Sequence, residues 1–298
     1  MKLIPANAAP FIGSNGNKIE HGKVAILGVA YDGTTSFRPG TRRGPDGFRS
    51  VSEAGIETYS PTQDRDLEDL RFSDLGNLDI PTAPEPVVES AYLATQEILA
   101  AGALPIILGG EHSITPGPVR AAFEKYPDLA VIQFDAHADL REEWNGSKNS
   151  HACAMRRVLD FLPSENLLQV GIRSGTREEF QEMREHQRLI SPEASALAAA
   201  LKRLGNRPLY VTFDLDIFDP SQLPGTGTPE PGGIDWPVCE SLLKVLADSN
   251  IIGLDLMELA PTIDPTEASS VLAAKLLREW ILLIGSLSVQ NTSSLKSS

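Results

Sequence analysis

A chain of 298 residues with a net charge of −14, 41% hydrophobic and 6% aromatic residues has the composition of a globular protein with a sizeable core. The acidic balance, with no basic stripe, argues against nucleic acid as a partner. Cys153 and Cys239, the two cysteines, stand far apart without CxxC spacing, which excludes a disulfide framework and a thiolate zinc site. The opening Met1-Lys2-Leu3-Ile4-Pro5-Ala6-Asn7 lacks the apolar core of a signal peptide. The run Trp280-Ile281-Leu282-Leu283-Ile284 is too short to span a bilayer, so no membrane is expected and the location reads as cytoplasmic.

In chain order, an apolar run over 23–29 predicts a first strand. The Gly/Pro/Thr-rich stretch 31–45 reads as a loop. A helix is predicted over 85–100, introduced by prolines, with Val88, Tyr92, Thr95 and Leu99 at helical spacing. Then come a strand over 104–108, a helix over 116–124, a strand over 129–134, a helix over 151–159 and a strand over 166–172. Helices over 178–188 and 193–204 lead to a strand over 209–213, a loop over 222–233, a helix over 236–248 and a strand over 251–256. A helix over 267–279, a weaker strand over 281–287 and a frayed polar tail from about 289 close the chain. Strands that are apolar without alternation are covered on both faces, and their alternation with helices predicts an α/β fold on a central, mostly parallel sheet. No composition break or repeat divides the chain, so one domain over residues 1–298 is expected.

The polar residues gather where apolar runs end. Gly109-Gly110-Glu111-His112 follows one strand, Asp135-Ala136-His137-Ala138-Asp139 another, and Asp214-Leu215-Asp216 a third, with Glu258 just beyond a fourth. In parallel α/β sheets these strand ends share one edge, where ligands bind. In an extended backbone alternate residues face one way, so Asp135, His137 and Asp139 project together, as do Asp214 and Asp216. Each carboxylate pair ~4 Å apart repels by roughly 4 kcal/mol at an effective dielectric of ~20. Two divalent cations offset the charge of the four aspartates. An oxygen-rich set with His112 and His137 favours Mn²⁺, and zinc, nickel and cobalt tolerate the same donors. Taken by themselves, His151 and Glu258 read as structural.

Together, Gly-Gly-Glu-His at 109–112, Asp-Ala-His-Ala-Asp at 135–139, Ser-His-Ala at 150–152, Asp-Leu-Asp-Ile-Phe-Asp-Pro at 214–220 and Asp-Leu-Met-Glu at 255–258 resemble the ureohydrolases, the arginase and agmatinase family. The early loop Tyr31-Asp32-Gly33-Thr34-Thr35-Ser36-Phe37-Arg38-Pro39-Gly40 is similar too. The resemblance implies a three-layer αβα sandwich. It implies two Mn²⁺, one held by His112, Asp135, Asp139 and Asp214 and the other by Asp135, His137, Asp214 and Asp216, with Asp135 and Asp214 shared. It further implies that a water activated there attacks a guanidinium carbon, that Glu258 holds the guanidinium, and that His151 passes a proton to the leaving amine. A homotrimer or homohexamer goes with it. Glu111 stands where many relatives carry Asp, Ala260 where arginases usually have Asn, and Asp219 and Asp255 match positions that support rather than ligate.

Within the resemblance, the segment 140–147, the loop around Thr176 and the loop 224–230 are more similar to agmatinases, and Thr176 replaces the Asp that arginases aim at an α-amine. The expected substrate is therefore agmatine, cationic at both ends, cleaved to putrescine and urea as in polyamine biosynthesis. Guanidinobutyrate or another guanidino acid is the alternative within the family. A protein that binds polyamines without turnover is the alternative outside it.

Overall fold

Strands built from continuous apolar runs need cover on both faces, and that requirement sets the architecture. The structure, a computed structural model, describes the backbone of residues 1–294 and the side chains as far as Gly285. Its strands are β1 (Leu3–Ile4), β2 (Val24–Val29), β3 (Tyr59–Ser60), β4 (Arg65–Asp66), β5 (Phe72–Leu78), β6 (Leu104–Gly109), β7 (Ala130–Phe134), β8 (Leu167–Val170), β9 (Leu189–Ile190), β10 (Leu209–Asp214) and β11 (Ile251–Met257). Nine of them form one sheet in the order β1-β5-β2-β6-β11-β10-β7-β8-β9, parallel throughout except for β1. The helices are α1 (Gly44–Ser50), α2 (Ser52–Gly55), α3 (Pro84–Ala100), α4 (Pro116–Lys125), α5 (Ala154–Leu159), α6 (Arg177–Glu185), α7 (Ala194–Leu204), α8 (Trp236–Leu246) and α9 (Ala268–Ser294).

Alternate strand residues sort into two cores. Val24 and Ile26 of β2 join Phe134, Phe213 and Leu254 in a cluster with α7, α8 and α9. Ala25, Leu27 and Val29 face the other way, against Val87, Ala91 and Ile98 of α3. The result is three layers, helix on sheet on helix. Trp280 is fully buried in the first core, its ring centroid 6.5 Å from that of Phe213, which in turn stacks on Phe134 at 5.2 Å. Each such aromatic pair contributes roughly 0.5–1.5 kcal/mol beyond its area.

Two expectations from the sequence are corrected. The run 281–287 is not a strand but part of α9, whose Ile281, Leu282 and Ile284 are fully buried. An apolar run without alternation has no period to separate buried helix from strand. The tail from about 289 is helical as far as Ser294, and residues 295–298 lie outside the described residues. β5 went unread because Asp74, Gly76 and Asn77 interrupt it; Asp74 is buried there because Arg49 of α1 pairs with it at 2.8 Å. Among the described residues, no helix is long and apolar enough to cross a membrane.

Candidate metal centre and active site

The carboxyl ends of β6, β7, β10 and β11 meet on one rim, and each positions its polar residues by a local device. After β6 the chain must pass between neighbouring strand ends: a Cβ on Gly110 would fall 1.8 Å from the Tyr31 carbonyl oxygen, so only glycine fits. That passage delivers His112, which is buried. Beyond β7, Asp135 accepts from the His137 N–H at 2.6 Å, and Asp139 takes a left-handed φ of 53°. Beyond β10, a 3₁₀ turn over Leu215–Ile217 lets Asp214 accept from the Asp216 N–H at 2.8 Å. Convergence was expected from strand alternation, whereas turns and one left-handed residue achieve it.

His112 Nδ1 lies 3.0 Å from Asp135, 3.1 Å from Asp139 and 3.3 Å from Asp214. His137 Nδ1 lies 2.8 Å from Asp216 and 3.7 Å from the other oxygen of Asp135. Two ligand groups result, His112 with Asp135 and Asp139, and Asp135 with His137 and Asp216, and Asp135 belongs to both. Asp214 joins through its contact with His112. The six acids and histidines named from the sequence are thus brought together.

The protonation of His112 can be read from its far side. Its Nε2 is 2.8 Å from the Thr212 hydroxyl, and that hydroxyl donates to Asp255 at 2.6 Å. Thr212 therefore accepts from Nε2–H, which leaves Nδ1 as the nitrogen that can give its lone pair to a cation, a proton or a metal ion. Among the described residues Nδ1 has no hydrogen-bond partner; it is buried and aimed among three carboxylates. One imidazole nitrogen and three carboxylates gathered around one point need a cation between them, protons in the absence of metal, and this donor set fits a metal ion. Asp255, fully buried under Thr115, Tyr210 and Thr212, supports the ligand from behind.

The electrostatics agree. Burial and the charges of Asp216 and Asp139 push the Asp135 carboxyl up to about 7, against the pull of His112. Burial, then Asp216 and Asp135, raise Asp214 well above the carboxylate range. Burial works against charge on the histidines, but the surrounding carboxylates hold His137 up at about 11 and His112 well above its ordinary value. Without metal, the cluster lowers its repulsion by holding protons.

Glu258 follows β11 in a left-handed conformation with φ 68°. Its Oε1 accepts from the His112 N–H at 2.8 Å, while Oε2 is the oxygen nearer Gly227. Burial and then the charge of Glu111 raise its pKa well above normal, so a cationic guest would be welcome. His151 opens the 3₁₀ turn His151–Cys153; its Nδ1 is 3.0 Å from the Thr34 carbonyl and its Nε2 is 3.1 Å from the Ser36 hydroxyl. A carbonyl only accepts, so Nδ1 carries hydrogen. Glu258, His151, His112 and His137 line one cavity of about 180 Å³, with Ser36, Arg141, Trp144 and Thr228 at its walls. A larger hollow of about 420 Å³ lies elsewhere, but it holds no histidine, and two of its three acids, Glu240 and Glu279, already accept from Thr62, Ser60 and Gln63. Size therefore does not pick the site.

Thr176 is not in the cavity's lining: its hydroxyl accepts from the Glu179 N–H at 3.2 Å and Glu179 answers at 2.6 Å, a capping box that begins α6. Asp219 accepts from the N–H groups of Ser221, Gly232 and Gly233 and closes a loop; a hydrogen bond from the Ser221 side chain, then these N–H groups, hold its pKa down at about 2. Thr34, Ser36, Thr212 and Trp144 escaped the sequence reading. Hydroxyls and a lone indole carry no spacing signal, and only the fold reveals their partners.

The sequence profile of the arginase family matches residues 22–283. The chain belongs to the arginase family. It is 40% identical to the agmatinase of Halalkalibacterium halodurans over 91% of this chain and 95% of that one. It is 39% identical to the agmatinase of Bacillus subtilis, over 88% and 92%. The solved agmatine ureohydrolase of Thermoplasma volcanium superposes with a TM-score of 0.84 at 31% identity, covering 95% of this chain and 96% of that one. The αβα sandwich expected from the motifs is thus this family's fold.

Proposed function

We propose that this arginase-family protein is an amidinohydrolase that cleaves agmatine to putrescine and urea. One observation carries the reading: the acid–imidazole cluster, the Glu258 carboxylate and the His151 ring open into a single cavity. The agmatinases to which the chain is similar along nearly its whole length support the choice of substrate. Two divalent cations, Mn²⁺ by the oxygen-rich, thiolate-free donors, would be held by His112, Asp135, Asp139 and Asp214 and by Asp135, His137, Asp214 and Asp216, supplying Lewis acidity that ionises water near neutral pH. Everything else falls to the chain's own groups.

Glu258 Oε1 is engaged by the His112 backbone, so Oε2 is free to pair with the guanidinium, a planar charge-assisted contact that turns the carbon toward the cluster. The pairing restores ionisation to a carboxyl that burial disfavours. Water's oxygen bonds to that carbon, the bond to the alkyl nitrogen breaks, and water's two protons end on that nitrogen, one of them relayed by His151, leaving neutral urea and an alkylammonium. The departing amine takes a proton from His151 Nε2, since Nδ1–H is tied to Thr34. The protein is expected to work in the cytoplasm as a homotrimer or homohexamer.

A panel of guanidino compounds assayed for urea tests this. The acids that line the cavity, Asp139, Asp214, Asp216 and Glu258, are all committed to the cations or the guanidinium, so none pairs with the α-amine of an amino-acid head, and an unpaired buried charge costs on the order of 4 kcal/mol. Agmatine should therefore exceed arginine in kcat/KM by ~10³-fold or more. Comparable rates on arginine would reverse the assignment, and an absence of urea from every compound would point to a polyamine binder. Arg141 favours a second reading. It stacks on Trp144 at 4.2 Å and, among the described residues, makes no ion pair, so a carboxylate tail such as that of 4-guanidinobutyrate would satisfy it. A preference for that compound would keep the chemistry and change the substrate.

A further inference from the structure

Glu111, beside the ligand His112, is fully buried and has no cationic partner among the described residues. Four neutral donors occupy its carboxylate instead. Oε1 accepts from the Thr34 hydroxyl at 2.5 Å and the Ser113 hydroxyl at 2.6 Å, and Oε2 from the Thr34 N–H at 2.9 Å and the Thr35 hydroxyl at 3.2 Å. A buried carboxylate with no counter-charge is costly, and a pure tether between a loop and a strand end would need only an amide or a hydroxyl. Where the tether leads is informative.

Every polar atom of Thr34 is committed. Its N–H and O–H go to Glu111, its hydroxyl oxygen accepts from the His151 N–H at 3.0 Å, and its carbonyl accepts from His151 Nδ1–H at 3.0 Å. Because the hydroxyl hydrogen is spent on Glu111, the oxygen can only receive from His151. The chain of bonds therefore has one direction, and it ends by fixing the tautomer and tilt of the imidazole. Nε2 is left facing the cavity with Ser36 at 3.1 Å.

We propose that Glu111 is a positioning residue for proton transfer, acting through Thr34 to hold His151 with Nε2 toward the leaving amine. The inference rests on His151 being the proton donor. A histidine in the wrong tautomer can lose as much as ~10⁴-fold in a related proton-transfer role, and a loosened ring should lose less. In Glu111→Gln, whichever way the amide is turned, its NH₂ faces donors that already point at it, so Thr34 loses half its anchorage.

The test is a double-mutant cycle on the metal-loaded protein, with kcat, KM, metal content and Tm measured for each variant. Glu111→Gln should lower kcat by about 10–100-fold with KM within about threefold and both metals retained, and Glu111→Asp, which keeps the charge, should recover most of that loss. His151→Ala alone should lose ~10²–10⁴-fold in kcat, and adding Glu111→Gln should cost nothing more. Thr34→Val reads the same link from the other end and serves if Glu111→Gln folds poorly. Losses that multiply in the double variant would overturn the proposal, as would loss of metal from Glu111→Gln. If His151→Ala keeps near-full rate, the donor assignment itself fails, a result distinct from multiplied losses.

Discussion

Asp135→Asn should leave the protein folded and nearly inactive, with both metals lost or weakly held. Asp135 is the residue common to both ligand groups: one oxygen lies 3.0 Å from His112 and the other 3.7 Å from His137. The amide removes one negative charge and turns one ligand oxygen into a donor facing where a cation would sit. Metal ions supply several kcal/mol of stabilisation in such hydrolyses, so kcat should fall by about 10³-fold or more. Asp214→Asn, 3.3 Å from His112 in the wild type, should behave similarly. Asp219→Asn is the control. Its carboxylate faces the N–H groups of Ser221, Gly232 and Gly233, so metal content should be unchanged and activity nearly so. Elemental analysis beside kinetics decides, and an Asp135→Asn protein with two tightly bound metals would contradict the shared-ligand assignment.

Glu258→Gln should lower kcat/KM by orders of magnitude while both metals stay bound. The glutamine oxygen can still accept from the His112 N–H, so the backbone turn that presents His112 is preserved. What is lost is the charge-assisted pairing with the guanidinium. Losing one partner of a buried, hydrogen-bonded charge pair costs about 2–5 kcal/mol, equivalent to roughly 30- to several-thousand-fold. Because Glu258 is engaged before and during reaction, most of the loss should appear as a rise in KM. Tm should not fall, since burial and the charge of Glu111 already favour a neutral group at this position. Metal loss from this variant would make Glu258 part of the metal centre, and unchanged kcat/KM would remove it from substrate binding.

Much of the fold and site was legible because the signals were chemical and local. The central strands are apolar end to end, and Asp or His at the close of such a run has few bland explanations. What stayed hidden depended on distant partners. β5 could not be read because Asp74 is tolerable in a strand only when Arg49 lies behind it. α1 begins at Gly44, inside a stretch whose glycines and prolines signal loop, and Pro45 is the helix-starting residue there. The convergence of Asp214 and Asp216 was anticipated for the wrong reason, since a 3₁₀ turn gathers them rather than strand alternation. The Glu111–Thr34–His151 chain crosses 117 residues between its hydroxyl and its imidazole, and no spacing rule reaches that far.

The most direct test strips the protein of metal with a chelator, verifies its absence, and titrates Mn²⁺ back while following urea release from agmatine and Tm. Charge repulsion among Asp135, Asp139, Asp214 and Asp216 is relieved by cations that bind the folded state, so Tm should rise with added metal. The account predicts no urea without metal and recovery of both signals to a plateau at two ions per chain, one for each ligand group. Full urea release from a verified metal-free sample would contradict it.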